Sequence, residues 1–180
     1  MILSDYDINN MIKQGRLKIT PFKKDIVREN GIDCRLDSEI AHHNTFDEDF
    51  VLDPSNEKHI ASAYTISKKQ KFLVIEPKEQ VLMSTKEYIS MPDDIAGFVE
   101  LRSTWARHGF SMPPTIIDAG FSGNITLEVM NNAPYKIMIK PNIGFAHIIF
   151  EKLDNRTGKA YSGLYKNQKG IKLPQKIEWQ

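Results

Sequence analysis

The sequence predicts a mainly β fold, an antiparallel sandwich or barrel, with one short helix at its N-terminus. Short apolar runs, several of them alternating with polar residues at period two, recur from Leu17 to Phe150. Turn-forming pairs such as Asn30-Gly31 and Ser122-Gly123 break up the chain around them. A 3.6-residue period is confined to the first fifteen positions and to brief later segments. At 180 residues, 41% hydrophobic and 26% charged, the chain is expected to form one domain over residues 1–180 that buries its own core.

Each element has a local reason. Ser4 followed by Asp7 resembles a capping box with Asp in place of the usual Glu. Ile8, Met11 and Ile12 give the following helix one apolar face, and Gly15 is its stop. The period then changes to two at Leu17 and Ile19, and again at Ile32, Cys34 and Leu36. Residues 72–75 form a run that ends before Pro77, and Val81-Leu82-Met83 follows after a short polar connection. Further strands are expected over residues 97–101, 125–130, 136–139 and 145–150. The polar stretch 41–58 reads as a mobile surface loop, and residues 155–172 as a flexible arm.

Composition narrows the function. Lys and Arg total 24 against 23 Asp and Glu, so no overall basic field is available to hold polymeric nucleic acid. An anionic ligand must be bound by a few local groups. Cys34 is the lone cysteine, which excludes an intrachain disulfide and a Cys-rich zinc site. The opening Met1-Ile2-Leu3-Ser4-Asp5 lacks the pattern of a signal peptide, and no apolar run approaches the ~20 residues of a membrane span. A cytoplasmic location is expected.

Three segments can carry chemistry. In Leu101 to Gly109 a strand end leads to two hydroxyl residues and a short helix. Ser103 or Thr104 at its N-cap would leave N–H groups free for a phosphate, with Arg102 and Arg107 adding charge. In Pro113 to Glu128, a hairpin reversing at Ser122-Gly123 would set Asp118 and Glu128 nearly opposite each other. Glu128 interrupts an apolar strand, where a carboxylate is costly unless partnered or solvent-facing. The third segment, Tyr161 to Gly170, carries amide, phenol and ammonium groups able to close over a polyphosphate, and reads equally as a disordered basic tail.

In this order the segments resemble the dCTP deaminase family, which shares its fold with trimeric dUTPases. The similarity covers essentially the whole chain. It includes Met1 to Asp5, Glu29 to Arg35, Arg102-Ser103-Thr104 with Ala106-Arg107, Pro113 to Phe121, Thr126-Leu127-Glu128 and the Tyr161 to Gly170 tail. The resemblance implies a jelly-roll-like β-barrel of the dUTPase type with one or two additional short helices. It further implies a homotrimer with nucleotide sites at subunit interfaces, and residues 155–180 as an arm closing over the nucleotide.

Site roles follow from the same resemblance. Glu128 falls on the catalytic glutamate, with Ser103 and Arg107 as its polar partners and Arg102, Ser103, Thr104 and Arg107 in the phosphate-contacting segment. Asp118 falls where the family binds the 3′-hydroxyl, and Phe121 where an aromatic packs on the sugar. Thr126, Leu127 and Glu128 contact the base, while Tyr161 and Gln168 belong to the closing tail. Two positions depart from the pattern. Thr104 replaces the usual serine, and Leu164 stands where many members carry a lysine against the phosphates, leaving that contact to Lys166 or another residue.

The implied reaction is hydrolytic deamination of dCTP to dUTP. Zinc deaminases pair a His/Cys/Cys metal site with an H-x-E glutamate. Here there is one cysteine, and none of the five histidines is followed two residues later by Glu. Acid–base catalysis by Glu128 without zinc is therefore expected. Mg²⁺ is expected on the triphosphate rather than on protein side chains, and the resemblance implies dTTP as an inhibitor. The rival readings are a dUTP diphosphatase, a bifunctional enzyme yielding dUMP, and a non-catalytic nucleotide sensor. Typical trimeric dUTPases carry an apolar residue ten positions after the aspartate, where this chain has Glu128, and that favours deamination.

Overall fold

One long strand organises the molecule. A computed structural model describes residues 1–179, so Gln180, the last residue of the expected arm, lies outside the described residues. The chain runs through α1 (Asp5–Lys13), β1 (Lys18–Thr20), a 3₁₀ turn at Lys24–Ile26, β2 (Val27–Arg28), β3 (Gly31–His43), α2 (Glu57–Ser62), β4 (Tyr64–Ser67), β5 (Leu73–Ile75) and β6 (Gln80–Thr85). It continues with β7 (Tyr88–Ser90), β8 (Ile95–Leu101), α3 (Ser103–Arg107), β9 (Phe110–Ser111), β10 (Thr115–Ile117), β11 (Ser122–Gly123), β12 (Thr126–Asn131), β13 (Ile137–Ile139) and β14 (Gly144–Lys152).

The first half of β3 pairs with β14 and β2, and its second half pairs with β6 and β4, with a register shift between Leu36 and Ile40. A shift of this kind bends a strand and raises its twist. The resulting sheet, in the order β10-β8-β14-β3-β6-β12-β9, curls around a core that includes Leu36, Met83, Leu127, Phe145 and Phe150. Smaller sheets, β1-β7-β11 and β13-β5, complete it. Every pairing between named strands is antiparallel.

The expected helix forms as read: Ser4 Oγ accepts from Asp7 N–H, the Asp7 carboxylate accepts from Ser4 N–H, and Ile8 and Met11 are buried. Other expectations are corrected. Ser122-Gly123 is not a hairpin turn but the short strand β11, paired with β7. Asp118 and Glu128 therefore do not face each other across a hairpin; Glu128 lies opposite Leu82 of β6. The 41–58 stretch is not all loop, because β3 runs to His43 and α2 begins at Glu57, capped by Asn56 Oδ1. Helix α3 is capped by Arg102, without a side-chain cap from Ser103 or Thr104. Residues 155–172 are bound to the body at several points, and Ile171 is buried. Among the described residues no helix is long and apolar enough to cross a membrane.

The bend of β3 is fixed by a buried ion pair. Arg35 Nε donates to Glu87 Oε1 at 2.6 Å and Arg35 N–H to Glu87 Oε2 at 2.8 Å, with side-chain exposures of 10% and 0%. Removing one member leaves the other charge stranded in the core. Arg35→Ala is expected to cost about 3–5 kcal/mol in a urea melt. Replacing both residues by apolar ones of similar volume is expected to cost much less.

Candidate functional site

Strand parity places the site. In β12 the side chains of Leu127, Val129 and Asn131 point into the barrel, so those of Thr126, Glu128 and Met130 point to its outer face. On that face Ala41, Leu82 and Ile171 form a small apolar cluster of their own, with Tyr64, Ile66 and Leu173 packed against it. The C-terminal segment crosses this face and turns it into a cavity of about 410 Å³. Thr126 and Glu128 of β12, Gln80 and Leu82 of β6 and Tyr64 of β4 line one side. Residues 115–118 with Phe121 and Ile125 form another, and the C-terminal strap contributes Tyr161, Tyr165, Gln168, Lys172 and Pro174.

Burial pushes the Glu128 carboxyl above the usual carboxylate range. Among the described residues no cation forms an ion pair with it. Burial and, secondarily, the charge of Glu128 push the Tyr64 phenol up as well. A shift in this direction makes the carboxylate a better proton acceptor than an exposed glutamate. The cavity's own charged groups are Asp118, Glu128 and Lys172, two carboxyls against one ammonium.

The cavity rim is held by backbone geometry. The Asp118 carbonyl accepts from Phe121 N–H at 3.0 Å, closing the turn that leaves Asp118 exposed and buries Phe121. Gly120 has φ +83°, and a Cβ there would strike Ala160 at 2.7 Å, so the strap passes directly over this turn. Tyr161 lies against Phe121 with ring centroids 5.6 Å apart. Gln168 Nε2 donates to the Asn124 carbonyl at 2.5 Å, while its Oε1 is buried without a partner among the described residues. A donor on a bound ligand would satisfy that oxygen.

The structure thus brings Asp118, Phe121, Thr126, Glu128, Tyr161 and Gln168 into one cavity within a single chain. Leu127 is in the core, so only its backbone can face a ligand there. Lys166 does not line the cavity; its Nζ donates to the Tyr161 carbonyl at 2.7 Å. Arg102, Ser103, Thr104 and Arg107 are not part of the cavity wall either. Ser103, Thr104 and Arg107 are exposed on α3.

Arg102 is turned inward. Its Nη1 donates to the Gly144 carbonyl at 3.2 Å, which also accepts from Trp105 Nε1 at 2.8 Å, and its Nε is 3.4 Å from Asp33 Oδ2. Burial works against the Asp33 carboxylate, but bonds from His147 and Arg28 and the charge of Arg102 outweigh it and hold its pKa below the ordinary value.

Sequence reasoning missed Tyr64, Gln80, Leu82, Ile125, Lys172 and Pro174 as wall residues, and did not single out residues 115–117 or Tyr165 within the segments it named. One signal was available. Val81-Leu82-Met83 is apolar on both faces of its strand, and all three residues are buried, which requires a cover on the outer face. Among the described residues no group of three or more His, Cys, Asp or Glu is placed to hold a metal ion.

Comparison with known proteins gives consistent matches. A family model described as dCTP deaminase-like matches residues 2–153. The dCTP deaminase of Pyrobaculum arsenaticum is 42% identical over 178 residues, 99% of this chain and 98% of its own. That of Saccharolobus solfataricus is 41% identical over 174 residues, 97% of this chain and 91% of its own. Among solved structures, the 2′-deoxycytidine 5′-triphosphate deaminase of Agrobacterium tumefaciens superposes with a TM-score of 0.64 at 19% identity over 83% of this chain. This chain spans 46% of that protein's length. A dUTPase of phage 80alpha superposes with a TM-score of 0.50 at 14% identity, over 82% of this chain and 97% of its own. At these identities the structural likeness is one of fold: mainly β and dUTPase-like.

In the chain on its own, Glu128 is expected to titrate above the ordinary carboxylate range. The side-chain carboxyl ¹³C shift reads this, with Glu128→Gln assigning the resonance. A titration at or below the ordinary value would mean that a cation from outside this chain reaches the carboxyl.

Proposed function

Because the chain belongs to the dCTP deaminase-like family, we propose that it deaminates dCTP to dUTP and ammonia, with Glu128 as general acid–base. The observation that carries this reading is one carboxyl, raised by burial, on the wall of a nucleotide-sized cavity. Full-length relatives at 40–42% identity bearing the name dCTP deaminase support the substrate.

Glu128 takes a proton from water as its oxygen bonds to C4, and delivers a proton to N3. The C4–N4 bond then breaks, the amine leaves as ammonia with a proton returned through the same carboxyl, and the water oxygen becomes the C4 carbonyl. Positioning and charge stabilisation supply the remaining rate. Leu82 gives the cytosine ring an apolar surface, and Phe121 with Tyr161 packs the sugar side. The Gln168 oxygen accepts a donor from the nucleotide. Mg²⁺ arrives on the triphosphate, and dTTP, which shares the deoxyribose and triphosphate, competes for the same cavity.

A triphosphate cannot be balanced by Lys172 beside two carboxyls. The reading therefore includes a homotrimer of cytoplasmic subunits in which α3 of a neighbouring copy brings Arg107, Ser103 and Thr104 to the cavity. Exposure of all three on α3, and the absence of an ion-pair partner for Arg107 among the described residues, supports this. Asp118 on the same cavity favours one second reading, a bifunctional enzyme that carries dUTP on to dUMP.

The test is a time course of ammonia, dUTP and dUMP with dCTP and Mg²⁺, using protein stripped of zinc by a chelator. Ammonia matched by dUTP is expected, with activity surviving the chelator. Direct dUMP with diphosphate would establish the bifunctional form, and no ammonia would overturn the proposal. Glu128→Gln is expected to bind dCTP while kcat falls about 10²–10⁴-fold. Mixing inactive Glu128→Gln and Arg107→Ala subunits is expected to recover activity if sites are shared between copies.

A further inference from the structure

The strap does not join the barrel through an extended β-ladder, yet it crosses the outer face in one register. Up to Gln168 it is tied to the turn before β12 by Tyr161 N–H to the Ala119 carbonyl, Asn167 N–H to the Ser122 carbonyl and a bridge between Gly123 and Gln168. Where it then crosses the cavity face, its placement rests on three successive backbone N–H groups. Gly170 N–H donates to Asn124 Oδ1 at 3.1 Å, Ile171 N–H to Glu39 Oε1, and Lys172 N–H to Thr126 Oγ1 at 3.1 Å. The three acceptors come from the loop before β12, from β3 and from β12 itself. Glu39 is the charged one, and a carboxylate accepting an N–H makes a bond roughly twice as strong as a neutral acceptor does.

From this arrangement we propose that Glu39 is a positioning residue of the active site: it fastens the strap that forms one wall of the cavity. The proposal rests on the reading of that cavity as the dCTP site. Glu39 does not line the cavity itself. Ser84 Oγ donates to the same Oε1 at 3.0 Å and so holds the carboxylate in place from β6. Ile171 enters the apolar cluster with Ala41 and Leu82, directly beside the Glu39 contact.

Gly170 shows how close the fit is. Its φ is +65°, and a Cβ there would run into the Glu39 carboxylate. Glycine is thus required on both counts where the strap meets its anchor. On either side of this contact, Gln168 and Lys172 face the cavity. Glu128, by contrast, stands on β12 and does not depend on the strap for its position. Loosening the strap should therefore weaken nucleotide capture and leave the chemical step largely intact.

The experiment compares the full chain with Glu39→Ala, Glu39→Gln and Gly170→Ala by two readouts. Tryptic cleavage after Lys166, Lys169 and Lys172 without nucleotide reports anchoring, independently of any reaction. Steady-state kinetics with dCTP reports its consequence. For Glu39→Ala, strap cleavage and KM are each expected to rise about tenfold or more, the loss of one charged hydrogen bond, with kcat within about twofold. Glu39→Gln keeps an acceptor oxygen and should recover much of both. Gly170→Ala attacks the same contact from the strap and should reproduce the alanine phenotype even if Glu39→Ala fails to fold. Parental cleavage rates and KM in folded Glu39→Ala, or a fall in kcat with strap protection unchanged, would overturn the proposal. If the parent releases no ammonia from dCTP, the functional reading fails while the cleavage data still decide whether Glu39 anchors the strap.

Discussion

The buried pair of Arg35 and Glu87 is the constraint on which the remainder depends. Glu87 has no exposed surface and sits just beyond β6, while Arg35 is at the point where β3 leaves one set of partners for another. Its carboxylate takes both the guanidinium and the backbone N–H of Arg35, so the bend of β3 and the β6–β7 turn are set by one contact. The network continues outward. Lys86 N–H donates to the Arg35 carbonyl at 2.7 Å, and Thr85 Oγ1 donates to the Glu87 carbonyl at 2.9 Å and accepts from Ile125 N–H at 2.9 Å. Asn124 Nδ2 reaches the Thr85 carbonyl, and its Oδ1 receives the strap. A polar chain thus runs from the core to the cavity wall with its donors and acceptors paired, the condition under which buried polar networks specify a single arrangement.

The cavity exists because the sheet has two usable faces. The inner face carries the main core, including Phe145, Phe150 and Leu127. The outer face of β3, β6 and β12 carries a minor apolar patch with a carboxyl beside it. Glu128 stands on β12 beside that patch, and burial raises its pKa. The strap covering the patch leaves a wall of aromatic rings, one amide and one lysine. The chain by itself therefore brings a buried carboxyl and apolar and aromatic surface to the cavity but a single ammonium, Lys172, while Arg107 stands exposed on α3, away from it.

Much of this was legible in the residues. Ser4 and Asp7 determine α1 because a capping box acts within four positions, and the alternation in β12 determines that Glu128 parts company with Leu127 and Val129. Glu128 was readable as a cavity candidate from a carboxyl in an apolar strand, and the structure places it on the cavity wall. The hairpin expected at Ser122-Gly123 failed because turn propensity is local, whereas that dipeptide pairs with β7, more than thirty residues earlier in the chain. Asp118 and Glu128 still share a cavity, by a route that no hairpin register describes.

What the sequence by itself determined, then, is what short-range physics controls: the helix cap, strand parity, the mainly β class and the outward direction of the Glu128 carboxyl. Tertiary structure alone decided which distant groups meet. Asp33 gathers Arg28, Arg102 and His147, Arg35 finds Glu87, and the strap lands on Asn124, Glu39 and Thr126. It also decided that Leu127 and Lys166 turn away from the cavity while Tyr64, Leu82 and Lys172 enter it. The reason is that each of these outcomes depends on side chains brought together by sheet curvature and strap register, which are set by burial and pairing over the whole chain rather than by neighbours in sequence.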